Sequence, residues 1–587
     1  MDYDALTMRT LQGIPASPGI AIGQAFVFLD EEEPMIPRYP VSERELDGEW
    51  DRFIVAVSKA KDDVTVLRDR ASREMGAEHG AIFDAHLMML DDPEVREAIE
   101  LSLRESLLNI EWIVHLYEQS IIKQLESLGD PTLQERTVDV LDITRRILNH
   151  LMFRERMSLA DLSGDVVLVA HNLLPSDMIA MRREHVLAIA MDAGGKTSHT
   201  AILARAFEIP AVVGLGSVAR SIKAGSKVIV DGNSGDIKVD PDATTLERYE
   251  RVRARMAERT MDLASIMTLP AVTTDGTQVL IKANIEVPEE TDSVLRHGAS
   301  GIGLFRSEFL FLQPGRAPSE ESQYSAYRKV LEAMGTRPVT IRTLDVGGDK
   351  IVPDLALAVE KNPLLGWRAI RYCLSDPELF QNQLRAILRA SEFGDARIMF
   401  PMISGPAELQ LALAALEEAK KECRKRGQKF REDIPVGIMI EVPSAAMIPD
   451  ILAKSVDFFS IGTNDLIQYT IAVDRGNEKV AYLHEPFHPA VLRLVKNVID
   501  AGHAAGIPVS MCGEMASDPF AAVVLLGLGL DEFSMSAVSV PDVKRTIRSV
   551  SLIDARAVAT EVLKLSSHKE IEIRLAELLA GKVTRAS

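Results

Sequence analysis

Residues 457–466 read Asp457-Phe458-Phe459-Ser460-Ile461-Gly462-Thr463-Asn464-Asp465-Leu466. The apolar run Phe458–Gly462 is the signal of a short buried strand, and polar residues begin where it ends. The same unit recurs on both sides. Apolar β segments fall at Val279–Ile285, Gly301–Phe305, Val339–Leu344, Arg397–Ile403, Val436–Val442, Pro508–Cys512 and Glu532–Met535. Helical patterns such as Ala407–Arg424 and Ala490–Ala505 separate most of them. About eight β units alternating with helices predict a closed (β/α)8 TIM-type barrel over residues 271–587. A doubly wound open sheet is the alternative, but it ordinarily has fewer strands.

In such a barrel the chemistry sits where the strands end at the C-terminal face. The second strand runs out in Arg306-Ser307-Glu308 and the third in Arg342-Thr343-Leu344-Asp345. The fifth ends in Glu441, the sixth in Asn464-Asp465 and the seventh in Cys512-Gly513-Glu514. Arg368 and Arg475 lie in loop-like stretches after the third and sixth strands. Any one of these is an ordinary polar residue leaving a core, but together they converge on one face. Guanidinium forks match phosphate and carboxylate oxygens in a way lysine does not. Glu441 and Asp465 offer two oxygen ligands to Mg²⁺, which keeps its other positions for water and substrate. The pattern points to a small, multiply anionic phosphorylated substrate with a divalent metal, and it leaves lyase, kinase and mutase chemistry open. Cys512 reads either as a small buried hydrophobe or as a general acid or nucleophile at a strand end. Cys373 and Cys423, in helical surroundings, read as structural.

Upstream, short β segments at Val166–Ala170, Val186–Met191, Ala211–Gly214 and Val228-Ile229-Val230 return after a helical region. The last is followed by Asn233-Ser234-Gly235 and Ile237-Lys238-Val239, a hairpin signal. The strand-like stretch 11–29 is assigned to the same unit, giving an α/β domain from 1–35 and 155–240. Between them, 36–154 reads as a helical insert. Ser42 and Glu45 form a capping-box signature, and apolar residues recur at Leu46, Trp50, Phe53, Val57, Ala60, Val64 and Leu67. Further helical segments surround His86–Leu90 and Asp139–Leu151, so the insert is expected to be an antiparallel bundle or coiled-coil hairpin. A charged helical stretch makes 241–270 a linker.

The strand Val186–Met191 runs into Asp192-Ala193-Gly194-Gly195-Lys196-Thr197-Ser198-His199-Thr200. A strand, a glycine pair and a hydroxyl-rich helix start make an anion-receiving geometry. His199 falls in the first helical turn, where the positive helix end disfavours imidazolium and leaves a ring lone pair able to attack phosphorus. The ordinary alternative is a solvent-exposed histidine near a cap.

Bulk properties narrow the classes. At 587 residues the chain has room for about three to five domains. It is 47% hydrophobic and 26% charged, with a net charge of −20, which argues against a nucleic-acid or anionic-membrane binder. Three cysteines are too few for a disulfide scaffold or a zinc site. The start, Met1-Asp2-Tyr3-Asp4, is acidic without an apolar h-region, so no signal peptide is expected. The longest apolar run, Ala521–Leu530, is too short to span a bilayer, and the expected location is cytoplasmic.

Taken together these segments resemble one family. Gly194-Gly195-Lys196-Thr197-Ser198-His199-Thr200 is similar to the phosphohistidine motif of enzymes that use phosphoenolpyruvate. Gly303-Leu304-Phe305-Arg306-Ser307-Glu308-Phe309, the stretch from Arg342 to Lys350, Asp457 to Leu466, and Met511-Cys512-Gly513-Glu514 resemble segments of enzyme I of the bacterial phosphotransferase system. The resemblance runs from Gly13 to the C-terminal helices. It implies that phosphoenolpyruvate binds in the barrel, with Mg²⁺ on Glu441 and Asp465 and with Arg306, Arg342, Arg368, Asn464, Asp465 and Arg475 around the substrate. It implies that His199 takes the phosphoryl group through Nε2 and that Cys512 protonates the pyruvate enolate. It further implies transfer from phospho-His199 to the phosphocarrier protein HPr on the helical insert, with Glu78, His86, Leu133 and Arg136 as interface candidates, hinges near 150–160 and 240–270, and a homodimer through the barrel. Two departures stand out. Methionine occupies position 178 in Pro175-Ser176-Asp177-Met178, where family members commonly carry a threonine that hydrogen-bonds the histidine, and Lys196 stands where some carry arginine.

A phosphoenolpyruvate synthase or pyruvate phosphate dikinase shares the histidine domain and barrel but carries a nucleotide-binding domain ahead of the histidine. A non-catalytic regulator that binds phosphoenolpyruvate or HPr is the other alternative, and it would be signalled by loss of His199, Glu441, Asp465 or Cys512. All four are present. Regulatory paralogues typically add an N-terminal sensory domain, and none is read ahead of Gly13, which favours the sugar-uptake branch.

Overall fold

The structure, a computed structural model, describes residues 8–28, 36–74, 83, 86–127, 131–152, 159, 162, 164–173, 177, 181–195, 199–216, 221–311, 318–347, 360, 362–475, 477 and 479–583. The chain forms two compact units, Met1–Glu258 and Arg259–Ser587.

The first unit is built on an eight-stranded sheet: β1 (Arg9–Gln12), β2 (Ile14–Ser17), β3 (Ile20–Phe28), β4 (Val166–Ala170), β5 (Val186–Met191), β6 (Ala211–Val213), β7 (Lys227–Asp231) and β8 (Asp236–Val239). Their order is β1-β8-β7-β3-β4-β5-β6-β2. β3 to β6 run parallel, while β7, β8 and the edge strands pair antiparallel. Parallel strands covered on both faces read as continuous apolar runs, as Val-Val-Leu-Val-Ala in β4 does. Strand alternation divides them. Val167, Val169, Ala188 and Ala190 enter one core, and Leu168, Ala170, Ile189 and Met191 enter the other.

That second core continues into the helices between β3 and β4: α1 (Leu46–Glu74), α2 (Pro93–Ser106), α3 (Ile110–Ser127) and α4 (Pro131–Leu151). Phe53, Val57, Ala60 and Val64 of α1 are buried, as their spacing predicts. The expected capping box is only half formed. The Glu45 carboxylate accepts from the Ser42 backbone N–H at 3.0 Å, but the Ser42 hydroxyl donates to that same carboxylate. Helix α5 (His199–Ala206) opens after the glycine-rich turn, and α6 (Ala243–Met267) runs through the sequence boundary at Glu258.

The second unit is a closed parallel barrel of β9 (Leu280–Ile285), β10 (Ile302–Arg306), β11 (Val339–Arg342), β12 (Ala396–Phe400), β13 (Val436–Ile440), β14 (Phe458–Ile461), β15 (Val509–Met511) and β16 (Glu532–Ser536). β16 pairs with β9 and closes the ring, so the open-sheet alternative falls. The apolar stretch Ala521–Leu530 belongs to the core. Asp518 caps the helix Pro519–Leu528 by accepting from the N–H groups of Phe520 and Ala521, both at 2.9 Å. Close packing of the helix Leu552–Val562 leaves no room for a side chain at Gly527, where a Cβ would sit 2.0 Å from the Ala555 carbonyl oxygen. Among the described residues no helix is long and apolar enough to cross a membrane. All three cysteines are free and buried.

Candidate active site

The C-terminal ends of the barrel strands gather an interlocked set of charges. Arg342, the last residue of β11, pairs through Nη2 with Glu308 and through Nη1 with Asp345 at 2.9 Å. Asp345 also accepts from Arg368 Nη2 at 3.0 Å. Arg368 in turn reaches the Tyr469 hydroxyl at 3.1 Å and Asp465 Oδ1 at 3.5 Å through Nη1. The chain of pairs Glu308–Arg342–Asp345–Arg368–Asp465 thus alternates carboxylate and guanidinium across residues far apart in sequence. Two guanidinium Nε–H groups, of Arg342 and Arg368, are buried with no hydrogen-bond partner among the described residues. An anionic ligand would find fixed, desolvated positive charge there.

Glu441 follows β13 directly and is 1% exposed. Its Oε1 accepts from the Met402 backbone N–H at 2.6 Å. Burial, joined by the fields of Asp465 and Asp345, pushes its carboxyl well above the usual carboxylate range, and Arg342 and Arg368 only partly offset this. A second carboxylate held beside a buried one is a donor pair short of positive charge, the chemistry a hard divalent cation satisfies. Among the described residues no three His, Cys, Asp or Glu side chains are grouped to hold a metal. Glycine makes the pair possible: a Cβ at Gly462 would lie 2.9 Å from Glu441 Oε2.

Asn464 and Asp465 do not lie on the strand itself. β14 ends at Ile461, and both residues sit in the first turn of the helix Thr463–Ile471. Asn464 is fixed by a reciprocal pair with Glu514, its amide donating to Oε1 at 3.1 Å and its Oδ1 accepting from the Glu514 N–H at 3.1 Å. Cys512, one residue past β15, packs with Leu304, Met399, Met439 and Phe458 inside the barrel. The Ser460 hydroxyl donates to its sulfur at 3.4 Å. Burial raises the thiol, which outweighs the Ser460 hydrogen bond and the nearby Arg342, so the sulfur keeps its proton at neutral pH. A protonated thiol suits an acid better than a nucleophile.

Arg306, at the end of β10, pairs with Glu286 at 2.7 Å and is about one-third exposed. Arg475 lies beyond the helix, its backbone N–H held by Gln468 Oε1 at 3.1 Å. Sequence reasoning assigned no roles to Glu308, Asp345 and Tyr469, although they orient the arginines. Asp345 stands three residues after Arg342, a spacing that could have marked the pair.

In the first unit, β5 ends at Met191 and α5 begins at His199, with Thr200 buried and its hydroxyl donating to the Leu173 carbonyl at 3.5 Å. Lys196 and Met178 lie outside the described residues, as does Glu78. Leu133 and Arg136 fall within α4. His86 is 4% exposed, with its ring against Phe83 and Nδ1 3.7 Å from Asp142. The side chain expected at a partner interface therefore lies inside the helical insert.

Residues 260–552 match the family described as PEP-utilising enzyme, PEP-binding domain, residues 162–235 its mobile domain, and residues 12–136 its N-terminal domain. The phosphoenolpyruvate-protein phosphotransferase of Priestia megaterium is 44% identical over 96% of this chain and 98% of its own. The Bacillus subtilis protein of that name is 43% identical over 96% and 98%, and that of Haemophilus influenzae 43% over 97% and 99%. The chain belongs to the phosphoenolpyruvate-protein phosphotransferase family. It is accordingly a transferase, and within that family the barrel mouth is the place where a phosphoenolpyruvate-binding domain and a cluster of buried arginines coincide.

Proposed function

We propose that the chain transfers the phosphoryl group of phosphoenolpyruvate to its own His199, and from there to the phosphocarrier protein HPr, releasing pyruvate as the first step of sugar uptake by the phosphotransferase system. The observation that carries this reading is the convergence at one barrel mouth of Arg342 and Arg368, the Glu441–Asp465 carboxylate pair and the protonated Cys512.

The substrate carries a phosphate and a carboxylate on a three-carbon skeleton. Arg306, Arg342, Arg368, Asn464 and Arg475 hold these groups, and Glu441 and Asp465 hold Mg²⁺. Bound there, the metal would neutralise phosphoryl charge as the transfer proceeds. His199 presents Nε2 in line with the phosphorus and forms the N–P bond as the bond from phosphorus to the enol oxygen breaks. Cys512 then gives its proton to the methylene carbon of the enolate, producing pyruvate, and the thiolate recovers a proton from water. In-line transfer asks mainly for positioning and charge compensation, which fixed guanidinium groups supply without reorganising.

The histidine must serve two partners in turn, so segments near 150–160 and 240–270 act as hinges for the domain of 1–35 and 155–240. The insert of 36–154 receives HPr, and residues 271–587 form the substrate and dimerisation domain. Three free thiols and no spanning helix among the described residues support a cytoplasmic site of action.

Incubation with radiolabelled phosphoenolpyruvate and Mg²⁺ tests the relay. Acid-labile, base-stable label is expected on the wild type, absent from His199→Ala, and passed to added HPr. A wild type that takes no label overturns the reading.

A further inference from the structure

In the helix layer around the arginine cluster, one buried carboxamide joins two strand ends whose pairing has run out. β10 and β11 last pair at Arg306 and Arg342. Two residues past Arg342, the Leu344 N–H donates to Gln383 Oε1 at 2.9 Å and the Leu344 carbonyl accepts from the Cys373 thiol at 3.7 Å, so side chains hold that residue where a strand no longer does. One residue past Arg306, the Ser307 hydroxyl accepts from Gln383 Nε2 at 3.0 Å. The same Nε2 donates to the Tyr327 hydroxyl at 3.2 Å, and that hydroxyl donates to Gln323 Oε1 at 3.3 Å. Ser307, Tyr327, Leu344 and Gln383 are all fully buried.

The surroundings decide which way the amide points. A backbone N–H, which can only donate, faces Oε1, and two hydroxyls, which can accept, face Nε2. Gln383 thus uses its acceptor and both its donors. It sits on the helix Pro377–Ala390 beside Phe380, Leu384 and Ile387, where an apolar side chain would pack without the cost of burying an amide. What the amide reaches accounts for its presence. Ser307 stands between Arg306 and Glu308, and Leu344 stands directly before Asp345. The Arg342–Glu308 ion pair spans the same two strand ends. They are therefore joined twice, by a pair of charges and by a neutral clamp from the helix layer.

We propose that Gln383 is a positioning residue for substrate binding: by clamping the turns after β10 and β11 it holds the guanidinium groups of Arg306 and Arg342 at the spacing that meets the phosphate and carboxylate of phosphoenolpyruvate. No bond is made or broken at Gln383. The proposal rests on these arginines being the groups that hold the substrate.

The test uses the full-length chain with Gln383→Leu, which fills similar space without either end of the clamp, and Gln383→Glu, which keeps the acceptor for the Leu344 N–H. Gln383→Leu is expected to raise the KM for phosphoenolpyruvate on the order of tenfold with kcat nearly unchanged, the signature of lost uniform binding when a positioning group is misplaced. Gln383→Glu should recover part of that loss. Ser307→Ala should raise KM less, and adding it to Gln383→Leu should raise KM no further, because both act through one clamp. In a His199→Ala background, where binding is read without transfer, Gln383→Leu should weaken the Kd for phosphoenolpyruvate by the same factor. An unchanged KM and Kd overturns the proposal, as does a fall in kcat that tracks a lower urea midpoint at constant KM and is not rescued by glutamate. A wild type that binds phosphoenolpyruvate but takes no label overturns the relay alone, and the Kd comparison still decides the clamp. A wild type that does not bind phosphoenolpyruvate overturns both.

Discussion

Arg368 and Asp345 form an ion pair 3.0 Å apart in which neither side chain reaches solvent. Asp345 also carries Arg342, at 2.9 Å, so one carboxylate bridges two buried guanidinium groups whose other partners are Glu308 and Asp465. Removing one member of such a set leaves uncompensated charge in a low-dielectric place. Asp345→Asn is expected to destabilise the barrel by about 3 kcal/mol, read as a shift in the urea midpoint of the full-length protein. It should also raise the KM for phosphoenolpyruvate, because both arginines lose their fixed direction.

Outside the mouth, Glu320 gives a pH-dependent contribution. Burial alone would raise its carboxyl, but hydrogen bonds from Arg385 at 2.8 Å and Arg389 at 2.9 Å outweigh it and hold the group below its ordinary value of 4.5. A depressed folded-state value means stabilisation that is complete above the ordinary value and lost as pH falls through the window beneath it. Glu320→Gln should therefore lower the melting temperature at pH 7, by an amount equivalent to about 1 kcal/mol after allowing for solvent screening. The difference from wild type should shrink towards pH 3.

The raised Cys512 thiol separates an acid from a nucleophile. Cys512→Ala is expected to take label from phosphoenolpyruvate yet release pyruvate about 10²-fold more slowly, the usual scale for a lost general acid. Native protein at neutral pH should react with thiol reagents far more slowly than unfolded protein, since all three thiols are buried.

Gly513 offers a steric test. A Cβ there would fall 1.8 Å from Thr463 Oγ1 and 2.8 Å from the Thr463 nitrogen, so alanine must displace the turn that carries Asn464 and Asp465. Gly513→Ala is expected to cut kcat/KM at least about tenfold, the scale of misplacing a positioning group. Thr463→Ala in the same chain should restore only part of the activity, because the backbone nitrogen still stands in the way.

Chelation by EDTA should stop phosphoenzyme formation, and added Mg²⁺ should restore it. With Glu441→Gln one carboxylate donor is lost, and half-maximal activity should require about tenfold more Mg²⁺. Steady-state rates across a Mg²⁺ titration check both outcomes.

The barrel was legible because its strands are buried on both faces and read as unbroken apolar runs, such as Val-Gly-Ile-Met-Ile at β13. The strand-end rule then located Arg306, Arg342, Glu441 and Cys512 without any spatial information. Partnerships were not legible. Arg368 meets Asp465 and Tyr469 from about a hundred residues away, and only closure of the ring brings them together. Asn464 and Asp465 were placed at a strand end because nothing local shows that the chain turns into a helix at Gly462. His86 illustrates the limit of periodicity: a helix pattern identifies one apolar face, but not a polar residue drawn inside by Asp142.

The sheet order β1-β8-β7-β3-β4-β5-β6-β2 interleaves the earliest strands with the latest. Among the described residues β3 finds its neighbours only in β4 and β7, β2 only in β6, and β1 only in β8. On the ribosome, then, residues 9–28 emerge with no strand to pair with, and the chain must be made through Val239 before the sheet can close. The helices between can form during that wait, since their contacts are local, whereas the sheet bears the loop-closure entropy of the whole insert. Nascent chains stalled within the insert should thus expose unpaired β edges to chaperones, and protection from proteolysis should appear in steps, for β3 after β4 has emerged, for β2 after β6, and for β1 only once residue 239 has cleared the exit tunnel.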